Sequence, residues 1–215
     1  MSQTNLFIAR HGQTEYNRTQ RIQGRGIDEP LNELGRLQAK AVGKALQGIH
    51  IDAVFSSSLK RAVQTAVIAT SAMNLPLQSY SSLDEMDFGL IEGHPMADIT
   101  DEIELLHNRW KGGDTHFALE GGESPQAVLK RALSQIEKIV QEHRGQTIFM
   151  ALHGRLIRIL MAHWMGYGLA DMHRIDHQNG ALYHLCLKDE KAEVVYMNKT
   201  DHLSDIIPAG PQLSK

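Results

Sequence analysis

The stretch LFIARHG, residues 6–12, places four apolar residues directly before an arginine, a histidine and a glycine. A short apolar run of this kind is typical of a buried strand. A second run, TIFMAL (147–152), precedes His153-Gly154, and a third, AVF (53–55), precedes three serines. Because ligands of open α/β sheets bind at the carboxyl ends of the strands, these three strand ends predict one polar site.

Helical periodicity separates these strands along the chain. Apolar residues recur every three or four positions in four segments, and two alternating segments near the end indicate a pair of strands. The predicted helices cover about 32–48, 59–73, 125–144 and 155–165, and the two further strands cover 182–187 and 192–197. The alternation of strand and helix predicts an α/β fold, a three-layer α/β/α sandwich with a mostly parallel central sheet.

The chain of 215 residues has the usual length of one domain, and we expect a single domain over residues 1–215. Between Asp84 and Glu123 the periodicity survives only in short pieces, among six glycines and a proline. We therefore expect a small inserted cap at about 86–124, built from loops and short helices. The prolines and glycine after Ser204 predict a loosely ordered tail.

Composition excludes several classes of function. Lys and Arg total 22 against 25 Asp and Glu, so the chain has no basic footprint for nucleic acid and no polybasic patch for a membrane. The single cysteine, Cys186, excludes an intramolecular disulfide and a Cys-based zinc cluster. No apolar run approaches the roughly 18 residues of a membrane span. We expect a soluble cytoplasmic protein, either a monomer or a homodimer.

Four basic side chains meet if the three strands are parallel neighbours. Arg10, His11 and His153 follow strand ends, and Arg61 lies one helical turn beyond the serines. Two arginines and two histidines around a crevice form an anion site, because the arginine fork matches pairs of phosphate oxygens. Glu85, from the insert, would lie over the same crevice. The pattern predicts a site for a phosphate group.

RHGQTEYN (10–17) resembles the signature of the histidine phosphatase superfamily, the phosphoglycerate mutase-like proteins. Further motifs similar to those of the family follow in its order: IQG (22–24), PLNELG (30–35), SSSLKRAVQTA (56–66), LDEMDFG (83–89), EG (92–93), GGES (121–124) and LHG (152–154). Asn32 stands where the family usually has threonine. The resemblance covers nearly the whole chain and implies the phosphoglycerate mutase-like fold.

The resemblance also implies a catalytic role for each basic residue. His11 would be the nucleophile that takes the phosphoryl group on a ring nitrogen. Arg10, Arg61 and His153 would surround the phosphoryl oxygens and stabilise the charge as the group moves. Phosphoryl transfer depends on positioning and positive charge, and four protein groups supply both without a metal or a cofactor.

The resemblance assigns the general acid to Glu85, which would protonate the leaving alcohol and then deprotonate a water. Glu92 is close in sequence and remains the alternative acid. The residues expected to bind the substrate lie beside the signature residues: Thr14, Asn17, Gln23, Gly24 and Gly154.

The composition of the insert favours a hydrolase. Mutases of the family carry a longer loop rich in arginine and lysine, whereas residues 87–123 contain only Arg109 and Lys111 as cations and are acidic, so the insert should hold a small polyanion poorly. We expect hydrolysis of a small-molecule phosphomonoester, with resemblance to the alpha-ribazole phosphatase and broad-specificity branches. A phosphoglycerate mutase and a non-catalytic phosphate-ligand binder remain the alternatives.

Overall fold

The computed structural model describes residues 3–188 and 191–206. Its strands are β1 (Thr4–Arg10), β2 (Ala53–Ser57), β3 (Leu77–Tyr80), β4 (Thr147–Leu152), β5 (Leu182–Lys188) and β6 (Lys191–Lys199). Its α-helices are α1 (Glu15–Arg18), α2 (Glu33–Ala45), α3 (Lys60–Ala69), α4 (Thr100–Lys111), α5 (Pro125–Glu142) and α6 (Gly154–Trp164). Most of the predicted tail, residues 207–215, lies outside the described residues.

The strands form one mixed sheet in the order β3-β2-β4-β1-β5-β6. The first four strands in this order are mutually parallel, whereas β5 runs antiparallel to both of its neighbours. This confirms the predicted α/β class with a mostly parallel sheet. Because β2, β4 and β1 are adjacent and parallel, the residues that follow them lie together at the carboxyl ends of the strands. These residues are Ser58, His153 and His11.

Helices cover both faces of the sheet. Along β1, Leu6 and Ile8 pack into a core shared with α5 and α6, whereas Phe7 and Ala9 pack into a core shared with α2 and α3. Successive side chains of a strand point to opposite faces, so a strand buried on both sides reads as a continuous apolar run. The LFIA run therefore reflects a central strand of a three-layer sandwich.

Helix α2 supports the loop that follows β1. Asn32 caps the helix by accepting a hydrogen bond from Gly35 N at 2.9 Å, in the manner expected of an N-cap asparagine. The backbones of Gly35 and the loop touch: a Cβ on Gly35 would lie 2.1 Å from Gln13 O, and one on Gly12 would lie 2.3 Å from Gly35 O. Two glycines are needed at this contact because neither side leaves room for a side chain.

Three features differ from the sequence-based expectation. Helix α3 ends at Ala69 rather than near residue 73. At this end of the helix, the Thr70 hydroxyl donates to Ala66 O. Strand β3 was not predicted, because this four-residue strand at the edge of the sheet is only partly buried and lacks an apolar pattern. The insert contains a three-turn helix, α4, which buries Leu106 and Trp110.

No helix in the described part of the chain has the length and apolar character to cross a membrane.

We predict that Gly35→Ala destabilises the protein, although Gly→Ala inside a helix normally stabilises it by about 1 kcal/mol. The added methyl group overlaps the Gln13 carbonyl, so the backbone must move, at a cost of about 1–3 kcal/mol. Urea unfolding measures the change in the free energy of unfolding. Lys40→Ala, at an exposed position of the same helix, should change it by less than about 0.5 kcal/mol. A more stable Gly35→Ala variant would contradict this packing.

Candidate active site

His11 lies immediately after β1 and is almost completely buried, with 3% of its surface exposed. Its backbone N–H donates to Leu152 O at 2.9 Å, which continues the β1–β4 pairing into the site. Its Nδ1 lies 2.7 Å from Gly12 O. A carbonyl oxygen only accepts hydrogen bonds, so Nδ1 carries the proton and Nε2 keeps its lone pair. The ring is thus held in the tautomer that a nucleophile needs.

Both histidines of the site are held neutral. Burial, followed by the charges of Arg61 and Arg10, keeps the pKa of His11 well below its ordinary value of 6.5. Burial and the charge of Arg61 act in the same direction on the pKa of His153. The two rings lie 5.2 Å apart between centroids. Each ring therefore remains uncharged at neutral pH, and His11 is free to attack an electrophile.

Ser57, which was not predicted as a site residue, orients His153. Its Oγ lies 2.6 Å from His153 Nε2 and accepts a hydrogen bond from Leu59 N at 3.1 Å. The hydroxyl proton is then available to Nε2, which places the ring proton of His153 on Nδ1. The serine run at the end of β2 was the only sequence signal for this contact.

The two arginines are fixed by carbonyl oxygens. Arg61 is fully buried and donates to Ile27 O at 2.7 Å and to Gly24 O at 3.1 Å. Arg10 donates to His177 O at 2.8 Å. Within residues 3–188 and 191–206, no carboxylate forms an ion pair with either guanidinium. Burial lowers the pKa of Arg61 to about 10, which still leaves it charged at neutral pH.

Unpaired hydrogen-bond donors concentrate in this site. Five buried side-chain nitrogen atoms in the described part of the chain have no hydrogen-bond partner, and four belong to predicted site residues: Arg10 Nε, Gln23 Nε2, Arg61 Nε and His153 Nδ1. Leaving a buried donor unpaired costs about 1–3 kcal/mol. Four such donors, two of them on guanidinium groups, match the oxygen atoms of a phosphate.

Glu85 reaches the site through the start of α6. Its Oε2 accepts from Arg155 N at 3.0 Å, and its Oε1 accepts from Leu156 N at 3.0 Å and from Met86 N at 2.9 Å. These bonds hold the carboxylate at the N-terminus of the helix that directly follows His153. Burial lowers the pKa of Arg10 and of Arg61, and Glu85 is the strongest charge that opposes this lowering. The predicted acid therefore faces both arginines.

Arg131 of α5, which sequence reasoning did not identify, fixes the loop that carries Glu85. Its guanidinium donates to the carbonyl oxygens of Ser82, Asp84 and Glu85, each at 2.9 Å. The same group pairs with both oxygens of Glu123, at 2.7 and 2.8 Å. The GGES motif contained Glu123, but Arg131 lies in an amphipathic helix where its spacing carries no signal.

Glu92, the alternative acid, connects the insert to the loop at residues 24–26. Its Oε1 accepts from Phe88 N at 3.0 Å, and its Oε2 accepts from Gly26 N at 2.9 Å. A Cβ on Gly24 would lie 1.8 Å from Glu92 Oε1, which explains the glycine. Burial raises the pKa of Glu92, a property that suits an acid, but both of its oxygens accept hydrogen bonds from backbone N–H groups of the insert and of the 24–26 loop. Gly24 contributes its carbonyl to Arg61.

Thr14, Asn17 and Gln23 form one hydrogen-bonded group beside His11. The Thr14 hydroxyl donates to Gln23 Oε1 at 2.7 Å, which fixes the amide so that Nε2 remains free. Asn17 and Thr14 bond reciprocally at the start of α1 as a capping box. Asn179, which was not predicted, donates to His11 O at 3.0 Å and to Asn17 Oδ1 at 3.1 Å.

Gly154 makes room for His177, another residue that was not predicted. A Cβ on Gly154 would lie 2.5 Å from His177 Cδ2 and 3.1 Å from Arg10 Nε. Any side chain here would displace Arg10 from its bond to the His177 carbonyl.

No group of three or more His, Cys, Asp or Glu residues in the described ranges is arranged to hold a metal ion.

Residues 6–200 match the family model of the histidine phosphatase superfamily (branch 1), and the chain belongs to this family. It is 26% identical over 200 residues to phosphoserine phosphatase 1 of Hydrogenobacter thermophilus, covering 93% of this chain and 94% of that protein. The structure of Bacillus stearothermophilus YhfR superposes with a TM-score of 0.85 at 26% identity, covering 93% of this chain and 99% of YhfR.

The alpha-ribazole phosphatase from Shigella flexneri superposes with a TM-score of 0.79 at 26% identity, over 91% of this chain and 96% of that chain. These findings confirm the resemblance drawn from the motifs. The chain is a histidine-dependent phosphatase.

We predict that the buried neutral histidines make stability depend on pH. The unfolded state binds a proton to His11 near pH 6.5, whereas the folded state does so only at a much lower pH, so stability falls as the pH drops below 6.5. Between pH 7.0 and 5.5, His11 alone should account for about 1 kcal/mol of this loss. Urea unfolding at pH 7.0 and pH 5.5 measures this loss of stability, which should be smaller for His11→Gln than for the wild-type protein by about 1 kcal/mol. An identical loss in both proteins would contradict the lowered pKa.

Proposed function

We propose that this chain hydrolyses small-molecule phosphate monoesters through a phosphohistidine formed on His11. The four unpaired N–H donors of Arg10, Gln23, Arg61 and His153 carry the proposal, together with the neutral His11 imidazole, whose Nε2 lone pair is free. Donors that are already oriented cost no reorganisation when charge develops on the phosphoryl oxygens.

In the first step, His11 Nε2 attacks phosphorus while the bond from phosphorus to the ester oxygen breaks. Arg10 and Arg61 balance the charge spread over the phosphoryl oxygens. Glu85 transfers its proton to the departing oxygen, so that an alcohol leaves rather than an alkoxide. The covalent step divides one difficult displacement into two easier ones.

In the second step, a water molecule attacks the phosphohistidine. Glu85, now ionised, accepts a proton from this water as its oxygen bonds to phosphorus. The N–P bond breaks, inorganic phosphate leaves, and His11 and Glu85 return to their starting states. The arginines and His153 stabilise the charge in this step as in the first.

We assign substrate specificity to the cap, which we place at about 86–124 within a single domain that spans the chain. The hydrogen bond from Gly26 N to Glu92 and the ion pair between Arg131 and Glu123 hold this segment against the site. Relatives named as phosphoserine phosphatase and alpha-ribazole phosphatase support a small phosphomonoester as the substrate class, with an alpha-ribazole phosphate-like ester as one member.

We predict that the protein in excess chelator releases inorganic phosphate from a panel of phosphomonoesters and does not isomerise 3-phosphoglycerate. Chelator should have no effect because Arg10 and Arg61 supply the positive charge. His11→Ala should reduce turnover at least about 1000-fold and abolish labelling of the protein by a phosphate-labelled ester.

His50→Ala is the matched control for this experiment, since that histidine side chain is 88% exposed on the loop before β2. It should keep both turnover and labelling. Isomer formation from 3-phosphoglycerate, especially with a bisphosphoglycerate primer, would make the protein a mutase. Phosphate binding without any turnover would make it a binding protein.

We predict that Glu85→Gln slows esters with poor leaving groups more than esters with good ones. An alkyl ester needs a proton on its departing oxygen and should lose about 100-fold or more, whereas p-nitrophenyl phosphate should lose much less. The comparison of kcat for the two esters measures the effect. Glu92→Gln is the matched control and should affect both esters equally. The reverse pattern would assign the acid role to Glu92.

A further inference from the structure

The turn that precedes β5 lies against the end of β1. We call residues 178–181 the support turn. The backbone N–H of Gly180 donates to Arg10 O at 3.1 Å, and the N–H of Arg10 donates to Ala181 O at 3.1 Å. These two bonds extend the pairing of β1 with β5 to the last residue of β1. The support turn therefore contacts the segment that carries His11.

Asn179 is the residue of the support turn that reaches the site. Its side-chain Nδ2 donates to His11 O at 3.0 Å and to Asn17 Oδ1 at 3.1 Å. The backbone N–H of His11 donates to Leu152 O at 2.9 Å, on the side of β4. Both backbone polar groups of His11 are thus bonded, one towards each strand that neighbours β1. Asn179 supplies the second of these two bonds.

The bond from Asn179 also sets the orientation of the Asn17 amide. Asn17 Oδ1 accepts from Thr14 N at 3.2 Å and from Asn179 Nδ2 at 3.1 Å. Two donors on one oxygen fix which end of the amide is the acceptor and leave Nδ2 as a donor. In the described part of the chain, Asn17 Nδ2 donates to no acceptor. Asn179 therefore helps to hold a donor that the predicted substrate-binding residue Asn17 can offer to a phosphoryl oxygen.

Two side chains that follow in the sequence hold the support turn. Asn198, near the end of β6, accepts from Gln178 N at 2.9 Å through its Oδ1. His202, in a single 3₁₀ turn at Asp201–Leu203, has its Nε2 2.9 Å from Gly180 O. A carbonyl oxygen only accepts hydrogen bonds, so His202 Nε2 carries the proton. The two side chains thus bond to the residues on either side of Asn179.

The backbone around these contacts has special conformations. Asn198 has a positive φ of 46°, in the left-handed region that asparagine tolerates better than most residues. Gly180 has a φ of 76°, and a Cβ on it would lie 3.1 Å from Gln38 Cβ and 3.4 Å from Leu203 Cδ1. Such conformations persist where the surrounding structure fixes them. The support turn is therefore held in one shape from several sides.

We propose that Asn179 is a positioning residue for His11 and Asn17, and that Asn198 and His202 act on the site through Asn179. This proposal rests on the proposed hydrolase function and adds residues that determine its rate without touching the substrate. A reaction that depends on positioning is sensitive to small displacements, since a shift of about 1 Å costs about 100-fold in rate.

The first test compares two substitutions of His202. Gln can place an amide N–H near the position of Nε2 and so keeps the bond to Gly180 O, whereas Leu fills the space without a donor. His202→Leu should lower kcat/KM for p-nitrophenyl phosphate at least about tenfold, and His202→Gln should stay within about threefold of the wild-type protein. Rates are expressed per folded protein, as measured by urea unfolding. His50→Leu, at an exposed position, is the matched control and should leave kcat/KM unchanged.

A second pair of variants keeps the proposal testable if His202→Leu does not fold. Asn198→Asp retains an oxygen acceptor for Gln178 N and a side chain that tolerates the left-handed conformation. Asn198→Gly retains the backbone conformation but removes the acceptor. Asn198→Gly should lower kcat/KM at least about tenfold, and Asn198→Asp should stay close to the wild-type value.

A double-mutant cycle tests the route through Asn179. Asn179→Ala alone should lower kcat/KM at least about tenfold. Adding His202→Leu to Asn179→Ala should lower it by less than about threefold further, because the link from the support turn to His11 and Asn17 is already lost. Losses that multiply in the double variant would overturn the proposed route.

Three other results would also overturn the proposal. They are equal losses in His202→Gln and His202→Leu, equal losses in the two Asn198 variants, and an unchanged kcat/KM in Asn179→Ala. Absence of phosphate release by the wild-type protein would instead contradict the proposed hydrolase. Calorimetric titration with inorganic phosphate then tests the positioning, since Asn179→Ala and His202→Leu should each weaken binding at least about tenfold and His202→Gln should not. Equal phosphate binding by all of these proteins would overturn it.

Discussion

Arg10 and Arg61 carry positive charge inside the protein without forming an ion pair in the described part of the chain, and much of the structure accommodates that charge. Burying an isolated ion is costly unless it is hydrogen-bonded. Carbonyl oxygens of Gly24, Ile27 and His177 satisfy part of each guanidinium while leaving its charge in place. Burial and the remaining field together keep His11 neutral. In the proposed reaction, the same positive charge would bind the phosphate that His11 attacks.

The fold holds these charges together because three parallel strands end at one edge. The β1–β4 register brings Arg10 opposite Leu152, so His11 and His153 emerge side by side. The backbones of Gly12 and Gly35 are in contact, so the loop after β1 packs directly against α2. Such backbone contacts leave little freedom for His11, which suits the proposed reaction because that reaction depends on positioning.

Glu85, the proposed acid, is held by a separate set of contacts. Backbone N–H groups at the start of α6 hold the Glu85 carboxylate, and Arg131 holds the loop behind it. The first turn of α6 therefore connects Glu85 with His153, the residue that directly precedes the helix.

The sequence by itself determined the central strands, the main helices and the residues at the strand ends, because burial periodicity and strand-end motifs are local properties of a chain. His11 and His153 were predicted from the strand ends and Arg61 from its place one helical turn beyond the serines, whereas Glu85 was predicted as the acid from the resemblance to the family. Only the tertiary structure revealed the contacts that join distant segments: Ser57 with His153, Asn179 with His11, Arg131 with the Glu85 loop, and Arg155 with Trp110. Each of these residues has an ordinary local pattern, and its importance comes from a partner far along the chain that packing brings within hydrogen-bonding or stacking distance.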